Sequence, residues 1–201
     1  MGYGTGYLDT ITNSGNLTII NNTVFSGNIS GSGNISSADG ILYPLLSSST
    51  VNSTSGTTIT IATNIPSWVK RINVIFSNTS LSGTSLQLLQ LGYGSTPTYQ
   101  TTGYSSVGDN YSTAATTVDT STAGFVIGST SAATTVWNIM YTIVNVPGTN
   151  TYIGSFSGGT AATVAMGGGT VTLSDVLTAI RVKSVNGTDT FDSGTINIMY
   201  E

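Results

Sequence analysis

Histidine and cysteine are absent from this chain of 201 residues, and charge is scarce: four Lys and Arg and eight Asp and Glu, 6% of the total. Without cysteine there are no disulfides and no thiolate metal sites. Without histidine the side chain that most often moves protons near neutral pH is missing, and so is imidazole as a ligand. A net charge of −4 and a pI near 4.3 leave no basic patch of the kind that nucleic-acid binding needs. No apolar run approaches the ~20 residues of a membrane helix. The opening MGYGTGYLDTIT has no basic segment leading into an apolar one, so it does not read as a secretory signal.

What is present is Gly, Ser, Thr and Asn around β-branched apolar residues. Hydrophobic residues make up 38% of the chain and mean hydropathy is +0.20, enough material for a core. Solubility therefore rests on hydroxyls and amides. The length fits one domain, or one domain with a short appendage. Such a chain reads as a rigid surface to be touched more than as a catalyst.

Two composition zones are visible. Residues 1–55 are small and polar and carry a repeat: Ser14-Gly15-Asn16-Leu17, Ser26-Gly27-Asn28-Ile29 and Ser32-Gly33-Asn34-Ile35. One turn plus one short strand cannot bury its own apolar side, so such units are stable when stacked or when several chains wrap together. The segment reads as a short β-repeat shaft for attachment, or else as a loop-rich lead-in. Residues 56–201 hold strand candidates at 57–61, 68–76, 85–91, 124–128, 135–146, 152–156, 161–165, 177–185 and 190–200. Short strands separated by turn signals predict an all-β fold, an antiparallel β-sandwich that is jelly-roll-like. Only Leu173–Ile180 offers a helical turn. Asn186-Gly187 predicts a type I′ hairpin that sets Val182 against Phe191 and Arg181 against Asp192. A bulge near Ser193-Gly194 would then return Phe191, Ile196 and Ile198 to one face. Strands 85–91 and 136–146 are apolar on both sides. That predicts a second covering layer, either a neighbouring protomer or a long loop of the same chain.

Ile65-Pro66-Ser67-Trp68-Val69-Lys70-Arg71-Ile72 and IRVKSVNGTDTFDSGTINIMYE at 180–201, with SGTS at 82–85 and TTGY at 101–104, resemble the C-terminal module of tail-fibre-like virion proteins of tailed bacteriophages, including phages of cyanobacteria. The resemblance spans roughly residues 57–201. It implies a β-rich domain at the outer end of a trimeric virion appendage, and no catalysis. This module often ends a much longer protein, whereas about 55 residues precede it here.

The carboxylates of the second zone are Asp109, Asp119, Asp175, Asp189, Asp192 and Glu201. A glycosidase needs two of them roughly 5–9.5 Å apart, and nothing local arranges a pair. No enzyme activity, cofactor or metal is expected. Lys70, Arg71, Arg181 and Lys183 hold all the positive charge. Arg181 and Lys183 share a strand face, and ion pairing with Asp189, Asp192 or Glu201 is the simpler use for them. Gly92-Tyr93-Gly94 and Gly167-Gly168-Gly169 read as turns, since no P-loop lysine follows. The region 93–119 reads as the longest stretch without a strand and the richest in tyrosine. Its candidates for stacking on sugars are Tyr93, Tyr99, Tyr104 and Tyr111, with Asp109 as acceptor; packing on a neighbour is the structural alternative.

The combined expectation is a homotrimeric phage appendage, a tail fibre or short spike located on the virion. Its N-terminal segment would join another virion protein, and its head would bind host surface polysaccharide or another outer-membrane component. The alternative is a capsid decoration or head-fibre protein with no receptor role.

Overall fold

The structure is a computed structural model that describes residues 35–37, 40–42, 46–47, 50–112, 115–129 and 132–201. The Ser-Gly-Asn repeats lie outside these residues, apart from the backbone of Ile35. The chain divides into two units, Met1–Leu42 and Tyr43–Glu201. In the first, strands β1 (Ile35–Ser37) and β2 (Gly40–Leu42) form an antiparallel pair.

The second unit is entirely β among its described residues. Its strands are β3 (Leu46–Ser47), β4 (Val51–Asn52), β5 (Thr58–Ala62), β6 (Arg71–Leu81), β7 (Gln87–Tyr93), β8 (Thr98–Tyr99), β9 (Ser105–Tyr111), β10 (Thr116–Ser121), β11 (Phe125–Ile127), β12 (Trp137–Asn145), β13 (Thr151–Gly159), β14 (Val164–Thr172), β15 (Leu177–Ser184) and β16 (Phe191–Tyr200). One sheet has nine strands, in the order β10-β9-β14-β13-β12-β6-β16-β3, with β4 following β3 along the same edge of β16. The other has five, in the order β11-β7-β15-β5, with β8 beside β7. All pairings are antiparallel, as expected for a sandwich with alternating inward and outward residues.

The core lies between the sheets. Ile72, Val74 and Phe76 of β6, Trp137, Ile139, Tyr141 and Ile143 of β12, and Ile196 and Ile198 of β16 are all buried. They meet Leu89 and Leu91 of β7, Phe125 of β11 and Ile180 and Val182 of β15 in one continuous cluster. Eight of the nine strands expected from 56–201 are present, and the ninth is displaced: 161–163 form a turn and the strand is β14, Val164–Thr172. The helical turn at Leu173–Ile180 is not; Leu177–Ser184 is β15. Leu46–Ser47 and Val51–Asn52, which composition grouped with the lead-in, pair with β16, so the large sheet begins before residue 56.

The hairpin at Asn186-Gly187 is corrected. β15 lies between β5 and β7 in the five-stranded sheet, and β16 lies between β6 and β3/β4 in the nine-stranded one. Both strands are already paired on both sides, so residues 185–190 form a corner between sheets. Gly187 alone has positive φ, +69°, whereas a type I′ turn needs two such residues. Asn186 shapes the corner with its side chain, whose Oδ1 accepts from Thr188 N and Asp189 N, both at 3.0 Å. The expected irregularity at 193–194 is present. The β6–β16 register shifts on both sides of Ser193, and Gly194 has φ of +89°. Phe191, Ile196 and Ile198 are buried.

The strands that are apolar on both faces divide into two cases. β7 is covered by its own chain: Tyr99 lies against Gly92, and Gln90 Nε2 donates to the Ala123 carbonyl at 2.7 Å. β12 keeps Met140 and Val144 exposed, at 49% and 42%.

Candidate functional site

Residues 93–119 are mostly strand, which corrects their reading as a loop. β9 reads Ser-Ser-Val-Gly-Asp-Asn-Tyr and alternates strictly, with Ser106, Gly108 and Asn110 inside and Ser105, Val107 and Tyr111 outside. Its inner residues are small or amide because the core behind them is already filled. Ser106 Oγ accepts from Val126 N at 2.9 Å and reaches the Gly168 carbonyl at 3.3 Å. Asn110 Nδ2 donates to Ser129 Oγ at 2.5 Å. β10 pairs with β9 from Thr116↔Tyr111 to Ser121↔Ser106. Neither strand has the aliphatic run by which strands are usually recognised, because β propensity largely measures the fit of a side chain to a half-buried pleat.

The five candidates from the sequence do not converge. Tyr104 is 3% exposed, its hydroxyl accepts from Leu91 N at 2.9 Å, and its ring meets Phe125 edge-on at 5.0 Å. With its ring buried, Tyr104 serves as a core residue, although it also borders the groove described below. Burial pushes its hydroxyl well above the ordinary tyrosine range. Tyr93 and Tyr99 belong to the five-stranded sheet, where Tyr93 pairs with Thr98 and the Tyr99 ring carries the Arg181 guanidinium 4.1 Å from its centroid. Asp109 and Tyr111 lie on β9 of the other sheet, joined by a bond from the Tyr111 hydroxyl to Asp109 Oδ2 at 3.0 Å. That bond raises the Tyr111 hydroxyl, which must give up its proton beside a carboxylate.

The charged groups are dispersed. Arg181 Nε donates to Gln90 Oε1 at 2.8 Å, so its expected pairing with Asp192 is also corrected. Asp192 accepts from Ser80 Oγ, Asp189 from Ser85 N at 2.8 Å, and Arg71 pairs with Glu201. Among the described residues no three Asp or Glu gather as ligands.

The more coherent site is a shallow groove of about 800 Å³ on the outside of the nine-stranded sheet, over β14, β9 and β10. Gly168 is its floor. Ser105, Val107, Thr120, Thr122 and Thr170 point outward around it and are exposed. No charged residue lines it. Gly167-Gly168-Gly169, expected as a turn, sits within β14, paired on both sides. The reason is below the floor. A line of rings runs Tyr104–Phe125–Tyr141–Phe156, with centroids 5.0, 5.5 and 5.4 Å apart. A Cβ on Gly167 would strike Phe156 and the Val107 carbonyl, and one on Gly168 would strike the Gly154 carbonyl. The strand comes this close to its neighbours because it has no side chains there. The rings make the floor rigid, and the missing side chain at Gly168 makes the depression. Its chemistry is neutral: hydroxyl donors and acceptors beside one exposed valine.

The signal that could have revealed the groove was the glycine triplet read as strand, with hydroxyl residues at matching positions on its neighbours. That register depends on pairing between residues far apart in the chain, such as Gly168↔Val107. No protein-family model, curated protein or solved structure matches this chain.

Proposed function

We propose that this chain is the outer module of a bacteriophage virion appendage, a tail fibre or short spike, that binds a neutral glycan on the host surface without altering it. The observation that carries the reading is the groove over Gly168. Sugars present hydroxyls and CH faces, and a rigid trough of Ser and Thr hydroxyls with an apolar wall matches both without charge. The resemblance of 65–72 and 180–201 to phage appendage modules supports the same reading.

In this reading the head is a jelly roll. Eight strands, β3/β4, β5, β6, β7, β11, β12, β15 and β16, divide four to each sheet, in the orders β3/β4-β16-β6-β12 and β5-β15-β7-β11, which is the order of two interlocked Greek keys. β13, β14, β9 and β10 widen one sheet beyond β12 and carry the groove. The N-terminal segment is the attachment shaft to another virion protein. Three copies make weak grooves avid when they engage together. A second reading, a capsid decoration protein without a receptor, is favoured by the exposed apolar side chains of Met140, Val144, Ile153, Val164 and Met166 on the outside of the nine-stranded sheet, which suit assembly.

The test is adsorption and direct binding. Ser105→Trp places a large ring in the groove from an exposed position, leaving the core untouched. Binding of the full chain to host surface polysaccharide should fall by tenfold or more, about 1.4 kcal/mol, with melting unchanged. Unchanged binding removes the groove as the receptor site. No binding by the parent chain favours the decoration reading.

A further inference from the structure

The exception to the dispersed charge is Arg181 with Lys183. Alternate residues of a strand share a face, so both side chains leave the outside of the five-stranded sheet, while Val182 between them is buried. Their direct partners on the edge strand β5 are Thr60 and Thr58, both exposed, and buried Ile59 lies opposite Val182. Two cations and two hydroxyls therefore stand at the corners of a rectangle of roughly 4.8 Å by 6.6 Å. Nothing in the chain neutralises the pair. The five strands of this sheet contain no Asp or Glu, in a protein whose net charge is −4. Asp189, Asp192 and Glu201, the partners expected for these cations, are held by Ser85, Ser80 and Arg71. Among the described residues, the terminal nitrogens of Arg181 and the Lys183 ammonium have no acceptor. Like charges this close repel each other until an anion sits between them.

We propose that Arg181, Lys183, Thr58 and Thr60 form a binding site for the phosphate group of a phosphate monoester. The guanidinium is already held in position. Its Nε donates to Gln90 Oε1 at 2.8 Å, and Gln90, 2% exposed, is anchored at its other end by the bond to the Ala123 carbonyl. The Tyr99 ring supports one face of the guanidinium plane. These contacts use Nε and one face, and they leave the two terminal nitrogens for a ligand. A fork fixed in this way loses little freedom on binding. A carboxylate brings one charge and two oxygens, fewer than these donors serve. A phosphate monoester brings three acceptor oxygens and a charge of about −1.5 to −2 near pH 7, which matches two cations and leaves lone pairs for the threonine hydroxyls. The site is separate from the groove over Gly168, which lies on the other sheet, and it does not depend on what that groove binds.

The test is a titration of the full chain followed by nuclear magnetic resonance at constant ionic strength. Inorganic phosphate should move the backbone amide signals of Thr58, Thr60, Arg181 and Lys183 in a saturable way. Glucose 6-phosphate should bind at least as well, because the quartet is open at the sheet edge. Arg181→Gln should weaken binding roughly tenfold and Lys183→Gln roughly threefold, in line with the loss of charge-assisted hydrogen bonds. Lys183→Gln removes no hydrogen bond or ion pair within the chain, so its effect decides the matter if Arg181→Gln disturbs the fold. Lys70→Gln removes the same charge away from this sheet and should leave binding unchanged. Shifts that do not saturate overturn the site, and so does an equal loss in the Lys70→Gln variant. Acetate binding as tightly as phosphate overturns the choice of phosphate. Binding of inorganic phosphate with glucose 6-phosphate excluded overturns the monoester.

Discussion

At the scale of single residues, this chain replaces charge with buried hydroxyls and rings. Tyr104 shows how. Its hydroxyl accepts from the buried Leu91 N–H, a donor on a strand that Tyr104 does not belong to. Tyr104→Phe keeps the ring against Phe125 and removes that acceptor. Leaving a buried amide unpaired costs about 1–3 kcal/mol, which urea unfolding should report, with glycan binding retained because the hydroxyl that is lost points inward to Leu91 N. Phe125 lies between Tyr104 and Tyr141, with no exposure, in the line of rings under the groove. The sequence marked Tyr104 as a binding residue because it counted tyrosines; whether a tyrosine meets solvent or a phenylalanine is decided by which strand crosses it.

At the scale of elements, the C-terminal strand shows how local signals and pairing divide the work. Gly194 was legible as a bulge because Phe191 and Ile196 can share a face only if one residue is inserted between them. Its φ of +89° is in the range that favours glycine, and a Cβ there would strike the Ser77 and Asn78 carbonyls of β6. Gly194→Ala should therefore cost at least about 1–2 kcal/mol in thermal or urea unfolding. By contrast Asn186-Gly187, the strongest turn signal in the chain, did not join its two strands into a hairpin. A turn sequence specifies a change of direction, and which sheet receives the next strand is set by vacant edges. β9 and β10 went unrecognised for a related reason: the inner positions of β9 face a core already filled by Val126 and Phe156, so Ser, Gly and Asn sit there, and the edge strand β10 has no buried residue at all.

At the scale of the molecule, stability is tied to neutral tyrosines. Burial raises Tyr104 and Tyr141, and Tyr152 to a lesser degree, above the unfolded value near 10. A group whose folded pKa is raised holds its proton more tightly in the native state. The stability it provides is intact below about pH 10 and is lost as pH rises beyond it, by at most about 1.4 kcal/mol per pH unit for each fully buried group. The unfolding midpoint in urea should be flat from about pH 6 to pH 9 and fall steeply by about pH 11. An alkaline midpoint equal to that at neutral pH would contradict this.

The sequence by itself determined the class of fold and the kind of chemistry. Strand-length apolar segments with no helical period leave an all-β sandwich, and a chain without histidine, cysteine or clustered charge has little to offer but hydroxyls, amides and rings. Those conclusions depend on composition and on contacts between residues close in the chain. The tertiary structure decided the rest. It made a strand of Gly167–Gly169, put Tyr104 in the core, sent β15 and β16 to different sheets, and left Met140, Ile153 and Met166 facing outward. Each outcome depends on partners many residues away, such as Gly168 with Val107 or Met140 with Ile75, and strand pairing at that distance follows from how the whole core closes.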